Sequence, residues 1–293
     1  MQRGIAAVAA LLLAGGAFYW LHGRGDAAPR AIASAPPAAV LTEPPSKASK
    51  KAAASSTPAA RTENKRAVPD PGPDAAMRTG EVLEYSADVA KVSNVATLRL
   101  QVAEQRNFLG KNAWHLQAFA HTQNPLRMVF ELDDQFDSYS DAGTMSSLQY
   151  EMHLSERGQK VESIQRMTAT GKEPAAENVT ETRVLPGTRD PLGMMQYLRN
   201  VDWSKTREAR GPVYDGHKLY DVRASLAGAS ESITVPAGSY VATKVELRVF
   251  DDGTEMKDAH FAVYFAHDQT HTPVLLEAVL PWTTARVGLK SSK

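Results

Sequence analysis

Apolar and polar residues alternate in many short runs between residue 82 and the C-terminus. Leu83, Tyr85, Ala87 and Val89, for example, are separated by polar residues. A period of two places the apolar side chains on one face of a half-buried β-strand. The same period recurs in the segments 96–102, 114–120, 148–154, 220–226 and 241–249.

Short turn signals separate these runs, namely Gly110-Lys111-Asn112, Arg157-Gly158, Asp215-Gly216, Pro236-Ala237-Gly238 and Asp251-Asp252-Gly253. Such turns join antiparallel strands, and short connections leave no room for the crossover helices of a parallel sheet. We therefore predict an all-β domain over residues 77–293, built as a large antiparallel curved sheet or open barrel of about ten to thirteen strands. The pattern does not decide whether the sheet closes as a barrel or splits into layers.

One stretch departs from this pattern, TRDPLGMMQYLRNVDW at 188–203. Asp190 can cap a helix whose first residue is Pro191, where the missing N–H is not needed. We expect one short helix over 191–201. Its apolar stripe consists of Leu192, Met194, Met195, Tyr197 and Leu198.

The size of this helix suggests a cavity. Eleven helical residues form a rod about 16 Å long, whereas about twelve strands at a spacing of roughly 4.8 Å span about 58 Å. The uncovered inner face must close on packed side chains, split into layers, dock a partner or leave a cavity. We expect an apolar cavity, and we predict that Met194, Met195 and Leu198 bind its ligand.

The N-terminal segment 1–26 is typical of an export signal. Its stretch 5–21 has no charged residue and ends in aromatic residues, near the lower length limit for crossing a membrane. Its Ala and Gly content, with small residues at 25 and 27, equally suits a cleaved signal peptide. We expect either a signal anchor in the bacterial inner membrane or a signal peptide that is removed after secretion to the periplasm.

Residues 27–76 are rich in Ala, Pro, Ser and Lys and poor in large apolar residues. This composition buries too little apolar surface to offset the entropy of folding, so we expect a disordered linker. The β-rich domain would then lie in the periplasm at the end of a tether.

Composition narrows the function classes. The net charge of zero divides into +1 for residues 1–26, +3 for 27–76 and −4 for the remainder. Because the β-rich part has no basic field, we expect no nucleic-acid partner. The chain has no cysteine, which excludes disulfides, thiolate zinc sites and cysteine nucleophiles.

The densest group of candidate chemical residues is HFAVYFAHDQTH, which starts at residue 260. In a strand, His260 and His267 point to opposite faces, which leaves His267, Asp268 and His271 in the following turn. No helix fixes their spacing, in contrast to the metalloprotease pattern. We expect a polar turn and no metal site.

Other candidate residues are equally weak. His115 and His121 share a strand face but lie about 20 Å apart, too far for one metal ion, so we expect both on the surface. We attribute the adjacent carboxylates Asp133 and Asp134 to a turn, since in a strand they would point to opposite faces. We predict no catalytic residues and no cofactor.

Five segments follow one another between residues 80 and 290: GEVLEYSADV, RDPLGMMQYLR, YDGHKLYDVRASL, ITVPAGSYVATKVEL and HDQTHTPVLLEAVL. In this order they resemble the bacterial envelope family called domain of unknown function 3108. The shared elements are an Asp-Pro-Leu helix, two hairpins and a strand after Asp268. The resemblance implies an exported β-rich domain with no assigned activity, and it supplies no catalytic residues.

Two classes of function remain open. The first is a noncatalytic, membrane-tethered binding module of the bacterial envelope for an apolar ligand such as a lipid or lipoprotein. The alternative is a structural or assembly factor that docks a protein partner in the periplasm, while a hydrolase is disfavoured. A deep apolar cavity would favour the first class, and a flat exposed apolar patch the second.

We predict that a reporter active only in the cytoplasm, fused after Lys293, gives little activity, because residues 5–21 would direct the domain out of the cytoplasm. A reporter that requires export should be active at the same position. Strong activity from the cytoplasmic reporter would contradict this topology.

Overall fold

The computed structural model describes residues 76–168, 178–281 and 283–293. The expected signal segment at 1–26, and all but the last residue of the expected linker at 27–76, lie outside the described residues. No helix among the described residues combines the length and the apolar character needed to span a membrane.

Fourteen strands and one α-helix, α1 (Pro191–Arg199), make up most of the described residues. A short 3-10 turn at Leu126–Met128 lies between β3 and β4. The strands are β1 (Val82–Val89), β2 (Val92–Phe108), β3 (Lys111–Thr122), β4 (Asp133–Asp141), β5 (Ser147–Glu156), β6 (Gln159–Thr168), β7 (Thr180–Arg183), β8 (Glu208–Tyr214), β9 (Leu219–Val235), β10 (Gly238–Asp251), β11 (Thr254–Glu255), β12 (His260–Ala266), β13 (Pro273–Leu280) and β14 (Thr283–Ser292).

All fourteen strands belong to one sheet, ordered β7-β6-β5-β4-β3-β2-β1-β14-β13-β12-β10-β9-β8, with β11 paired to β10. Most strands pair with their neighbour in sequence, as hairpins do. β10 also pairs with β12, and β1 also pairs with β14, which joins the first and last strands in the middle of the sheet. All pairs are antiparallel except β6 with β7.

The all-β architecture with one short helix is confirmed, but the predicted number of ten to thirteen strands is wrong. The additional strands are explained by β7 and β11, which have four and two residues. Segments this short cannot display a period, so alternation does not reveal them.

The predicted turn signals all join strands as expected. Gly110 lies between β2 and β3, and Gly158 lies between β5 and β6, with φ angles of +76° and +77°. Glycine adopts this left-handed backbone without steric cost, which explains its position in these tight hairpins.

The inner face of the sheet follows the predicted alternation in β1, β2 and β3. Tyr85 is fully buried, and its hydroxyl donates to the carbonyl of Pro273 at 2.7 Å. Other side chains on this face are almost fully buried as well, among them Leu83, Leu98, Leu100, Leu116 and Ala118.

β12 and β13 depart from alternation because both of their faces are buried. Every residue from Ala262 to Ala266 is buried. The tip of the long β9–β10 hairpin folds across the outer face of β14, the strand next to β13. A Cβ placed on Gly288 would lie 3.2 Å from Pro236 and 3.3 Å from Val235. A continuous apolar run is the expected pattern for strands covered on both sides.

The two edge strands, β7 and β8, do not pair with each other, and a short segment before α1 connects β8 to the start of β5. Arg189 donates its N–H to the carbonyl of Pro212 at 3.0 Å and accepts from the N–H of Tyr214 at 2.8 Å. Ser147 donates its N–H to the carbonyl of Thr188 at 3.0 Å. The sheet therefore curls, and the segment before α1 joins β8 to the start of β5. The strands form neither a closed barrel nor two separate layers.

The helix α1 begins as predicted. Asp190 has an extended backbone, and its side chain accepts the N–H of Gly193 at 2.8 Å. The predicted end at residue 201 is wrong, since the helix stops at residue 199. The side chain of Asn200 donates to the carbonyl of Gln196 at 2.8 Å, which satisfies an acceptor that another helical turn would otherwise use.

The last residue of α1, Arg199, forms an ion pair in which the arginine side chain is fully buried. Its guanidinium donates to both carboxylate oxygens of Glu81 at 2.6 and 2.7 Å, and its Nε donates to the carbonyl of Thr270 at 2.6 Å. The side chain of Arg199 has no exposed surface. One side chain thus ties the end of the helix to the chain before β1 and to the loop between β12 and β13.

We predict that Arg199→Met lowers the free energy of unfolding by about 3–5 kcal/mol, because it leaves the carboxylate of Glu81 largely buried without its partner. The double variant Arg199→Met/Glu81→Leu should recover much of this loss, since it removes both charges. Urea denaturation of the purified proteins measures both values. Equal destabilisation of the single and double variants would contradict the importance of the pairing.

Candidate functional site

An apolar cavity lies between α1 and the inner face of the sheet. Sixteen of its twenty lining residues are apolar. They come from β2, β3, β8, β9, β10, β12 and β13 as well as from α1, so the cavity exists only in the curled sheet. Representative lining residues are Leu98, Leu116, Leu192, Val222, Phe261 and Leu276.

The cavity is open on one side. Its half-buried apolar residues mark the part of the wall that solvent reaches, and they include Met195, Leu247, Val249 and Phe261. The cavity has a volume of about 130 Å³, within about 1020 Å³ of empty space that includes open solvent. The smaller volume approaches that of an engineered protein cavity, of about 150 Å³, that holds a benzene-sized molecule.

The structure places all three residues of the predicted ligand site beside this cavity. Met194 and Leu198 are 5% and 1% exposed, and Met195 is half-buried. Methionine has three rotatable bonds and a polarisable sulfur, so Met194 and Met195 can adapt to ligands of different shapes. That these residues bind a ligand stays a prediction.

Four of the lining residues are polar: Gln101, Gln117, Gln196 and Glu277. Three of them already have close partners in the structure. Arg99 donates to Gln101 at 2.9 Å, and Gln117 donates to Asp137 at 2.8 Å. Glu277 accepts the hydroxyl of Tyr264 at 2.8 Å and pairs with Arg286 at 3.0 Å.

The N-terminus of α1 rests on a buried polar cluster that the sequence does not reveal. Asp190 is fully buried, and its carboxylate accepts the hydroxyls of Ser138 and Ser147, each at 2.5 Å. Burial raises the pKa of Asp190, and the hydrogen bonds from Ser138, Ser147 and Gly193 oppose that rise. These contacts fix the start of the helix against β4 and β5.

Gly193 allows this close approach. A Cβ at this position would lie 2.9 Å from the hydroxyl of Ser140 and 3.0 Å from the carbonyl of Met145. Any larger residue would push α1 away from the sheet. Close packing therefore explains why glycine follows Asp-Pro-Leu.

The histidine-rich segment forms a polar turn, as expected. Asp268 accepts the N–H groups of Thr270 and Thr272 at 3.1 and 2.9 Å, and His271 hydrogen-bonds to the carbonyl of Arg199 at 3.1 Å. The loop therefore holds the end of α1. Within residues 76–168, 178–281 and 283–293, no group of three or more histidine or carboxylate side chains is arranged to hold a metal ion.

His115 is not the surface residue that we expected. Its side chain is only 14% exposed, and its Nε2 lies 2.7 Å from the carboxylate of Asp137. Burial favours the neutral acid, but hydrogen bonds from His115, Gln117 and Gln135 outweigh burial and lower the pKa of Asp137. The side chains of this cluster lie on the outer face of β3 and β4, because they alternate with the inward-facing ones.

The pair Asp133 and Asp134 lies in β4, so the expected turn is wrong. Asp133 pairs with Arg127 at 2.8 Å on the outer face. Asp134 is 5% exposed and accepts the N–H of Ser155 at 2.9 Å. Burial, with smaller contributions from Glu156 and Asp133, raises the pKa of Asp134 to about 7.

The comparisons with known proteins identify the family. The model of the family described as protein of unknown function (DUF3108) matches residues 84–290. The chain belongs to this family. No curated protein matches this member.

Three solved structures are distantly similar to the chain. The first is a β-barrel-like protein of domain of unknown function DUF1849 from Brucella abortus, 11% identical, covering 73% of this chain and 97% of its own, with a TM-score of 0.46. A candidate lipoprotein from Parabacteroides distasonis is 16% identical over 74% and 96% of the two chains, with a TM-score of 0.34. A candidate exported protein with a YmcC-like fold from Bacteroides fragilis is 11% identical over 74% and 96%, with a TM-score of 0.28.

We predict that Asp134→Asn stabilises the protein at pH 8 and that the gain fades as the pH falls towards 4. The native pKa of about 7 exceeds the ordinary unfolded value of about 3.9, so the native state holds this proton more tightly. The wild type therefore loses stability as the pH rises between these two values, whereas the amide does not titrate. Urea denaturation across this pH range measures the difference.

Asp252→Asn is the matched control, because the side chain of Asp252 is 91% exposed in the turn after β10. A gain for Asp134→Asn that is independent of pH would contradict the buried-acid explanation.

Proposed function

We propose that this protein is a noncatalytic binding module of the bacterial envelope that holds an apolar molecule in the cavity beside α1. The observation that carries the proposal is the wall of the cavity, where sixteen of twenty residues are apolar. Ligand pockets are typically concave and mostly apolar, with a few polar groups that fix orientation.

The geometry of the cavity supports a ligand larger than the closed volume alone would hold. The open side is bordered by half-buried apolar side chains, which include Met195 and Leu247. A chain-like or ring-containing molecule can place one part in the inner cavity and leave another part at the opening. A lipid or the acyl chain of a lipoprotein has this shape.

The proposed location in the cell envelope follows from the N-terminal sequence. The charge-free run at 5–21 would anchor the protein in the inner membrane or be removed after export, and residues 27–76 would serve as the tether. In the anchored form the binding domain could reach ligands at some distance from the membrane while remaining attached to it.

The alternative function, docking of a protein partner, is favoured by one other observation. Met128 and Val129, in the connection between β3 and β4, are 81% and 65% exposed. Val92 and Val279, at the same end of the sheet, are 48% and 46% exposed. Exposed apolar residues that lie together can mark an interaction surface.

We predict that Leu247→Trp and Met195→Lys each weaken the binding of an apolar fluorescent dye at least about tenfold. The first substitution fills the open side of the cavity, and the second places a charge in its apolar wall. Dye titration of the purified full-length protein measures affinity, and native mass spectrometry detects any molecule that is carried through purification.

Val241→Trp and Val241→Lys are matched controls, because Val241 is on β10, is 51% exposed and does not line the cavity. Both controls should bind the dye as the wild type does. Wild-type affinity in Leu247→Trp and Met195→Lys would contradict the cavity as the binding site and favour the partner-docking alternative.

A further inference from the structure

One polar side chain in the cavity wall has an unused hydrogen-bonding group. Gln196 is 6% exposed and lines the cavity. Its Oε1 accepts only a long hydrogen bond, at 3.4 Å, from Nη1 of Arg199. Among the described residues, no hydrogen-bond partner is found for its Nε2. Because Gln196 lines the cavity and this donor has no protein partner there, the NH₂ group can hydrogen-bond a ligand.

The orientation of this amide is set by its neighbour. Arg199 can only donate hydrogen bonds, so the oxygen of the Gln196 amide must face the guanidinium. The NH₂ group therefore points away from Arg199. The cavity thus receives a donor and not an acceptor.

The charges around the cavity disfavour an ionised ligand. No lysine, arginine or histidine is among the lining residues. Arg199, whose guanidinium contacts Gln196, has no exposed surface and is neutralised by both oxygens of Glu81. The one ionisable lining residue, Glu277, is paired with Arg286 at 3.0 Å, so no free cation in the wall would balance an anionic head group.

We infer that the NH₂ group of Gln196 donates a hydrogen bond to an acceptor oxygen of an uncharged apolar ligand, of which the ester carbonyl of an acyl chain is the chemical class. This inference rests on the proposed function and adds the chemistry of the ligand. The apolar wall provides most of the affinity, and Gln196 selects acyl esters over plain hydrocarbons and over free fatty acids.

Three probes of similar chain length separate these contributions: methyl decanoate, undecane and decanoate. Each competes with an apolar dye for the purified full-length protein at pH 8. The wild type should bind the ester roughly three- to tenfold more tightly than the alkane, which corresponds to one net hydrogen bond. It should bind the carboxylate more weakly than the ester.

Gln196→Leu should bind the alkane at least as tightly as the wild type does and should lose the preference for the ester. Gln196→Met is a second variant of similar length in case the branched side chain disturbs folding. Gln135→Leu is the matched control, because the amide of Gln135 donates to Asp137 at 2.7 Å on the outer face of β4 and does not line the cavity. The control should keep the preference for the ester.

The outcomes distinguish the two proposals. Equal affinity of the wild type for the ester and the alkane, or an ester preference that survives in Gln196→Leu and Gln196→Met, overturns the role of Gln196 and leaves the proposed function intact. Failure of both the ester and the alkane to displace the dye, together with dye binding that Leu247→Trp and Met195→Lys do not change, overturns the proposed function itself.

Discussion

The position of α1 depends on the two buried charged side chains at its ends. Asp190 is held by the hydroxyls of Ser138 and Ser147, and Arg199 is held by Glu81. Leaving either charge buried without these partners would cost several kcal/mol. Each end of the helix therefore stays where its partners are. The fixed ends then determine how closely the middle of the helix packs against the sheet.

That fit is incomplete for geometric reasons. A helix of nine residues is about 13 Å long, far shorter than the width of a fourteen-stranded sheet. Small side chains such as Ala87, Ala96, Ala118 and Ala120 fill little space on the inner face. The side chains of α1 and the sheet leave the apolar cavity between them.

The surroundings of the cavity disfavour an unpaired charge. Burial raises the pKa values of Asp134, on the inner face of β4, and of Asp190, at the start of α1, and the guanidinium of Arg199 is already paired with Glu81. An uncharged ligand matches such an environment because it brings no charge that the protein would have to solvate. The NH₂ group of Gln196 is the polar group that can donate a hydrogen bond to such a molecule.

The sequence by itself determined the features that depend on local patterns: the hairpin turns with their glycines, the alternating strands and the helix start at Asp190. It also placed Met194, Met195 and Leu198 on the helix face that meets the cavity. Only the tertiary structure decided the bridging of the sheet edges, the Arg199–Glu81 pair and the free amide of Gln196. Arg199 and Glu81 are 118 residues apart in sequence, and Asp190 and Ser138 are 52 apart. No period or spacing encodes such contacts, because they depend on the curvature and register that all the strands reach together.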